Sequence, residues 1–261
     1  MVDSVAKRDR GRAFFRVYEI IELIAGSPWP ISYAEISDRL GLAKPTAHRL
    51  CELLESHSII QRAVDSKSFI PGPRLRFLSM EVLGSSTMLL ERQLVLRTLA
   101  DKTGETCNLS VPNGTEMLYL DRVETEWPLR IALPVGSRVP LHCTASGKLY
   151  LSQLATRERR RLINSITLER RTENTLTDPE ALWEDLRTVR EQKVGIDNEE
   201  FIEGMVAVSV PINDTSGRVC AALAVHGPVP RLTLEMAKSH VPSMREAAER
   251  LEATISAGKA K

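Results

Sequence analysis

Apolar residues recur at helical spacing in the first part of the chain and alternate with polar ones further on, with turn residues between the blocks. Phe14, Val17, Ile21 and Ile24 predict a helix over 13–26, stopped by Gly26-Ser27-Pro28. Between Ser32 and His57 two short helices are joined by a tight turn at Gly41-Leu42. Ser32 followed by Glu35 is a capping box, in which each residue satisfies an orphan backbone donor at the helix start. Ile36 and Leu40 give that helix its apolar side. The second helix opens near Pro45, where a fixed φ and a missing N–H do no harm. Ala47, Leu50, Cys51 and Leu54 share its buried face. Pro45, His48, Arg49 and Glu52 share the opposite one, with Lys44 and Thr46 at its start. A helix that is small and aliphatic inside, and short, polar and basic outside, suits a DNA major groove.

Two strands, Ile59–Ala63 and Ser68–Ile70, flank the polar turn Val64-Asp65-Ser66-Lys67. Three helices and this hairpin make a winged helix-turn-helix over 13–73. Arg62 and Lys67 of the wing are expected to touch phosphates, positioning the protein without reading sequence. Pro71-Gly72-Pro73 marks a boundary. A linker over 74–93 follows, helical from Arg74 to about Leu90, with Leu75, Leu78, Val82 and Leu89 near one side and a weak point at Gly84-Ser85-Ser86. Such a helix can pair with its copy.

From about Leu94 the pattern changes. A helix to Lys102 precedes strands at Thr106–Val111 and Glu116–Arg122 around Pro112-Asn113-Gly114-Thr115, a hairpin signal. Leu129–Leu133 is a further strand. Helices are expected at Ala145–Ser152, Arg157–Ile163, from Thr177-Asp178-Pro179-Glu180 to Lys193, and from about Thr233 to Ala253. Val206–Ile212 and Arg218–His226 form a second hairpin. Hairpins with helices between them indicate an α+β domain on an antiparallel sheet over 94–256. Internal repeats and low-complexity segments are absent.

Composition narrows the class. The 261 residues, 43% of them hydrophobic, suffice for one large or two ordinary domains. The start MVDSVAKRDRGR is charged and lacks a secretory apolar core, and the sequence holds no bilayer-length apolar run, so a soluble cytoplasmic protein is expected. Cys51, Cys107, Cys143 and Cys220 lie far apart without metal-ligand spacing, as reduced packing thiols do. No metal or cofactor is expected. Residues 1–76 carry 12 Lys/Arg against 9 Asp/Glu, and the remainder 23 against 25. Lys7, Arg8, Arg10, Arg12 and Arg16 lie within ten residues. Residues 1–12 are therefore a flexible basic arm, solvated or reaching along DNA into a minor groove.

With the motifs GLAKPTAHRLCELLE, ETCNLSV then MLYLDRVE, GSRVPLHCTASGKLYL, and GIDNEEFIEGMVAVSVPI then GRVCAALAVHGP in this order, essentially the whole chain resembles the IclR family of bacterial transcriptional regulators. The resemblance implies a winged-helix DNA-binding domain, a linker helix and a GAF-like effector-binding domain. It also implies homodimers, often paired into homotetramers, on palindromic operator DNA. By the same resemblance an effector pocket lies on the central sheet, closed by the loop containing LHCTASGK. Ala145 and Ser146 match positions whose backbone amides meet a ligand carboxylate. Asp197 matches a pocket acid, and Ile131, Val139 and Met205 match the apolar wall. Ala207 stands where many members have cysteine, and Ala224 and His226 where two serines are common. Losing those partners while gaining an imidazole points to a small organic acid other than glyoxylate or pyruvate, with an aromatic or substituted carboxylate as the expectation.

The expected function is a ligand-responsive regulator, a repressor of a catabolic operon, and not an enzyme. Lys44, Thr46, His48 and Arg49 would face the major groove, with Arg10 and Arg12 of the arm and Arg62 and Lys67 of the wing on phosphates. Blander readings stand beside these. Arg49 and His48 can be solvated surface. His226 can be a buried histidine bonded to backbone, His142 is structural, and Asp197 can cap a turn. Asn198, Glu199 and Glu200 are solvated. Two alternatives remain: a GAF-like metabolite-binding protein whose winged helix mediates protein contacts, and a hydrolase using Cys143 beside His142 and Ser146. The second lacks a recognisable oriented base and oxyanion arrangement.

Overall fold

The architecture is that of a computed structural model, which describes residues 2–27, 29–64, 67–83, 86–127 and 133–256, with side chains outside 2–13, 83, 86–88 and 255–256. The chain divides into two units, residues 1–85 and 86–261. In the first, α1 (Val2–Ala25) is followed by β1 (Ile31–Ser32), α2 (Tyr33–Leu40), α3 (Lys44–Ser56), β2 (Ile60–Arg62), β3 (Ser68–Pro71) and α4 (Pro73–Leu83). The capping box is formed. The Glu35 N–H donates to Ser32 Oγ at 3.3 Å, and the Glu35 carboxylate accepts the Ser32 N–H at 3.0 Å. Gly41 ends α2 at φ 60°, a conformation that a side chain strains. Ser37 Oγ donates to the Leu42 carbonyl at 2.6 Å and closes the turn. Ser32→Ala should destabilise this unit by about 1 kcal/mol and Ser32→Gly by only a few tenths, read by urea denaturation. Equal losses would show that the hydroxyl contributes nothing.

The strands form an antiparallel sheet in the order β1-β3-β2, with Ile31 opposite Phe69 and Ile60 opposite Pro71. Ile20, Ile24, Ile36, Leu50, Leu54, Ile60 and Phe69 make the core. Two expectations change. The segment expected as a flexible arm is helical from Val2, as part of α1. Phe14 is 66% exposed, and the packed side of α1 consists of Ile20 and Ile24 with Val17 and Ile21 beside them. The apolar residues of α1 occupy two adjoining faces, and only packing against the sheet and the other helices selects one.

The second unit contains α5 (Ser86–Thr103), β4 (Thr106–Asn113), β5 (Glu116–Val123), β6 (Arg138–Pro140), α6 (Ala145–Gln153), α7 (Thr156–Ser165), α8 (Pro179–Gln192), β7 (Gly195–Asn198), β8 (Met205–Asn213), β9 (Val219–Pro228), α9 (Leu234–Ser239) and α10 (Val241–Ser256). Its six-stranded antiparallel sheet has the order β6-β5-β4-β9-β8-β7. Alternation along β9 assigns the two faces. Ala221, Leu223 and Val225 join the core with Leu96, Leu99, Met244 and Leu251 of α5 and α10. Ala222, Ala224 and His226 take the opposite face, where α6 packs across β7, β8 and β9.

The boundary expected between linker and effector domain at 93/94 falls inside α5, which runs unbroken from Ser86 to Thr103. Strands β6 and β7 were not expected. The single helix expected over 233–253 is divided at His240, because Pro242 has no N–H to donate and is tolerated only in a first turn. The strand expected at Leu129–Leu133 falls on residues 128–132, outside the described residues.

Candidate functional site

On the first unit, Lys44, His48 and Arg49 are exposed on α3 and Thr46 is half-buried. Pro45 occupies the first turn and no side chain caps the helix. His48 stacks on Tyr33, with ring centroids 4.7 Å apart and planes at 22°. Its Nδ1 lies 3.4 Å from the Glu52 carboxylate. Arg62 differs from a wing cation reaching outward. Its Nε donates to Glu55 and its Nη2 to Tyr33 Oη, both at 3.0 Å, and its guanidinium lies over the Phe69 ring at 5.2 Å. It braces β2 against α2 and α3. Lys67 is exposed at the start of β3. Arg10 and Arg12 lie on α1, and their side chains are outside the described residues.

On the second unit a cavity lies between the sheet and the start of α6. Val139, Ala145, Ser146, Asp197, Met205, Ala207, Ala224 and His226 all line it. Ile131 lies outside the described residues. The centre of a water-sized body has about 40 Å³ in which to move. That is more room than a single water needs.

Thr144 caps α6. Its Oγ1 accepts the Gly147 N–H at 3.2 Å, and its carbonyl accepts the Lys148 N–H at 2.9 Å. The Ala145 and Ser146 amides, next to the cavity, make no hydrogen bond within the described residues. Free amides at a helix start form an anion site.

Asp197 stands on β7 rather than in a loop. Its Oδ1 accepts the N–H groups of Glu200 at 2.8 Å and Phe201 at 3.2 Å. Burial pushes its carboxyl up to about 7, although those two donors oppose the shift. His226 is held neutral. Burial, and then the Arg122 charge, lower it to about 3, and its Nε2 is buried with no partner.

The turn beyond β7 is fastened to α6. Lys148, 1% exposed, donates to Glu200 at 2.5 Å and lies 3.1 Å from Asp185 of α8. Thr172 and Thr175 donate to the Glu200 carbonyl at 3.3 and 2.7 Å. Glu200, expected as solvated, is therefore buried. Its partner is a lysine 52 residues away, which no local pattern reveals. Phe201 and Ile202 of this turn also line the cavity.

His142 is buried away from the cavity, with Nε2 3.0 Å from the Glu169 carbonyl. Cys143 is fully buried, and burial raises its thiol to about 12, so it is no nucleophile. Asn108, Tyr119 and Thr144 line the cavity and were missed. Asn108 faces it through its pairing with Ala224 of β9, and Tyr119 because the register shift between Leu109 and Ser110 sets it opposite Ser110. A polar residue at alternate positions of ETCNLSV was the available signal for Asn108. Among the described residues, no acidic, histidine or cysteine cluster could hold a metal, and no helix is long and apolar enough to cross a membrane.

A winged helix with an exposed basic face, in one chain with a sheet-and-helix unit enclosing a small cavity, defines a DNA-binding regulator with an effector domain. Residues 15–63 match the IclR helix-turn-helix domain, and residues 80–253 match the family described as bacterial transcriptional regulator IclR C-terminal. The chain belongs to the IclR family of bacterial transcriptional regulators, and it is not an enzyme. It is 41% identical to the "Probable transcriptional regulator SauR" of Cupriavidus necator, over 93% of this chain and 96% of that one. The crystal structure of the Thermotoga maritima IclR superposes with a TM-score of 0.62 at 28% identity, covering 94% of this chain and 98% of that one. An IclR homolog from Microbacterium hydrocarbonoxydans, complexed with 4-hydroxybenzoate, superposes with a TM-score of 0.58 at 26% identity, covering 94% and 99%.

Proposed function

We propose that the protein is a repressor that binds a palindromic operator as a homo-oligomer and responds to a small organic acid held in the α6 cavity. The observation that carries this reading is the pair of free amides at Ala145 and Ser146, facing a cavity with a buried acid and an orphaned imidazole. The acid's carboxylate would rest on the amides. The homologue complexed with 4-hydroxybenzoate supports an acid as the class of ligand. Arg49, exposed and without an ion pair among the described residues, is the side chain suited to a guanine edge. The ligand acts on DNA binding only through unequal affinity for two arrangements of the protein.

Fluorescence anisotropy with the DNA upstream of its gene and of neighbouring genes, across salt and against scrambled DNA, tests this reading. Specific binding that weakens steeply with salt is expected. Addition of the acid should release it. Arg49→Ala should weaken operator binding by about 1–3 kcal/mol, roughly 5- to 150-fold, and leave acid binding intact. Equal operator affinity for variant and parent would reject the role of Arg49. Weak binding to all these DNAs alike, at any acid concentration, would favour a winged helix that contacts protein.

A further inference from the structure

We propose that the cavity selects a two-headed short acid, whose carboxylate rests at the start of α6 and whose second oxygen function is received by His226 and Asn108. The inference rests on the effector-cavity reading and adds the class of ligand. Sheet register places the two ends. A β-carbon on Gly195 would collide with the Ala145 carbonyl, so α6 begins directly over β7. His226 and Asn108 belong to β9 and β4, two and three strands away in the sheet order. Neighbouring strands are about 4.8 Å apart, so the ends lie roughly 10 Å or more apart at the backbone. Between them the sheet carries small side chains. Ala207 stands between Asp197 and His226 in one row of paired residues, and Ala224 between Ser209 and Asn108 in the next.

The far end has unspent donors. His226 Nε2 is buried without a partner among the described residues, and the residue is 9% exposed. Asn108 Oδ1 accepts from Arg122 Nη1 at 3.1 Å. Arginine only donates, so this bond fixes the amide flip and leaves the Asn108 –NH₂, on the cavity wall, without an acceptor among the described residues. The Tyr119 hydroxyl, also on the wall, makes no hydrogen bond among the described residues either. A one-headed acid leaves these groups dry and unpaired, and a second oxygen satisfies them.

Calorimetry on the full chain with butyrate, succinate and 4-hydroxybutyrate tests this, since the three share a four-carbon skeleton. Succinate or 4-hydroxybutyrate should bind at least about tenfold tighter than butyrate. Which of the two wins distinguishes an anionic from a neutral second function. His226→Ala should reduce the preference below about threefold, and His226→Gln should restore much of it. Asn108→Leu should lower the preference in the same way, and it carries the test if His226→Ala does not fold. Parity of the three acids in the parent, or a preference untouched by these variants, overturns the proposal and leaves the cavity reading standing. Ala145→Pro separates the two failures, because proline suits the first helical position yet removes an amide donor and fills its place. If no acid binds the parent, or if Ala145→Pro binds acids as the parent does, the cavity reading falls and the proposal with it.

Discussion

Lys148→Met should destabilise the second unit by about 3–5 kcal/mol at neutral pH, the usual cost of removing one partner from a buried ion pair. The lysine is 1% exposed and its two carboxylate partners come from different elements. Burial works against its charge, but Glu200 and Asp185 more than offset this and hold it protonated. Methionine fills a similar volume, so the loss is electrostatic rather than a cavity. Glu200, whose carboxyl burial already raises despite Lys148, would then stand without its cation. Its value would rise further in the folded state, which would take up a proton that the unfolded chain does not. The deficit should therefore be largest near pH 8 and shrink toward about pH 5. Urea denaturation at both pH values reads this. A loss below about 1 kcal/mol, or one equal at the two pH values, would show that the triad contributes little. The Glu200 N–H also holds Asp197 in place, so the variant should weaken acid binding as well.

Features with local causes were legible in the sequence. The capping box at Ser32 and Glu35, the turn at Gly41 and the buried face of α3 each depend on residues within a turn or two, and each is found as expected. Features set across the sheet were not. Asp197 is two residues from Gly195 in a short strand, and only pairing with β8 makes GIDN a strand rather than a loop. Tyr119 faces the cavity through a bulge that hydropathy does not mark. The cavity residues named in advance came from the likeness to a family, not from periodicity. Their shared location has a physical reason, since Ala207, Ala224 and Gly195 are small where α6 crosses the sheet, and small residues under a helix leave space.

Gly195→Ala should nearly abolish acid binding, because it sets two pieces of backbone against each other. The added methyl would overlap the Ala145 carbonyl oxygen and lie 2.5 Å from Ser209 Oγ. Rotation can move the serine oxygen but not the carbonyl. Strand β7 cannot retreat without losing its register with β8, where Gly195 pairs with Ser209. Helix α6 is equally constrained, since a β-carbon on Gly147 would lie 2.5 Å from Leu141 Cα and Lys148 anchors the same turn. Overpacking of this kind costs about 1–3 kcal/mol, and a clash that no rotamer relieves belongs at the upper end. The cheapest relief lifts the first turn of α6, which carries the Ala145 and Ser146 amides. A displacement of about 1 Å in positioned groups costs on the order of a hundredfold. Operator affinity without the acid should match the parent, because the winged helix is a separate folded unit. Release from DNA by the acid should then require on the order of a hundredfold more ligand. Parent-like acid affinity in calorimetry, with the melting temperature lowered or not, would mean that the ligand does not depend on where α6 begins.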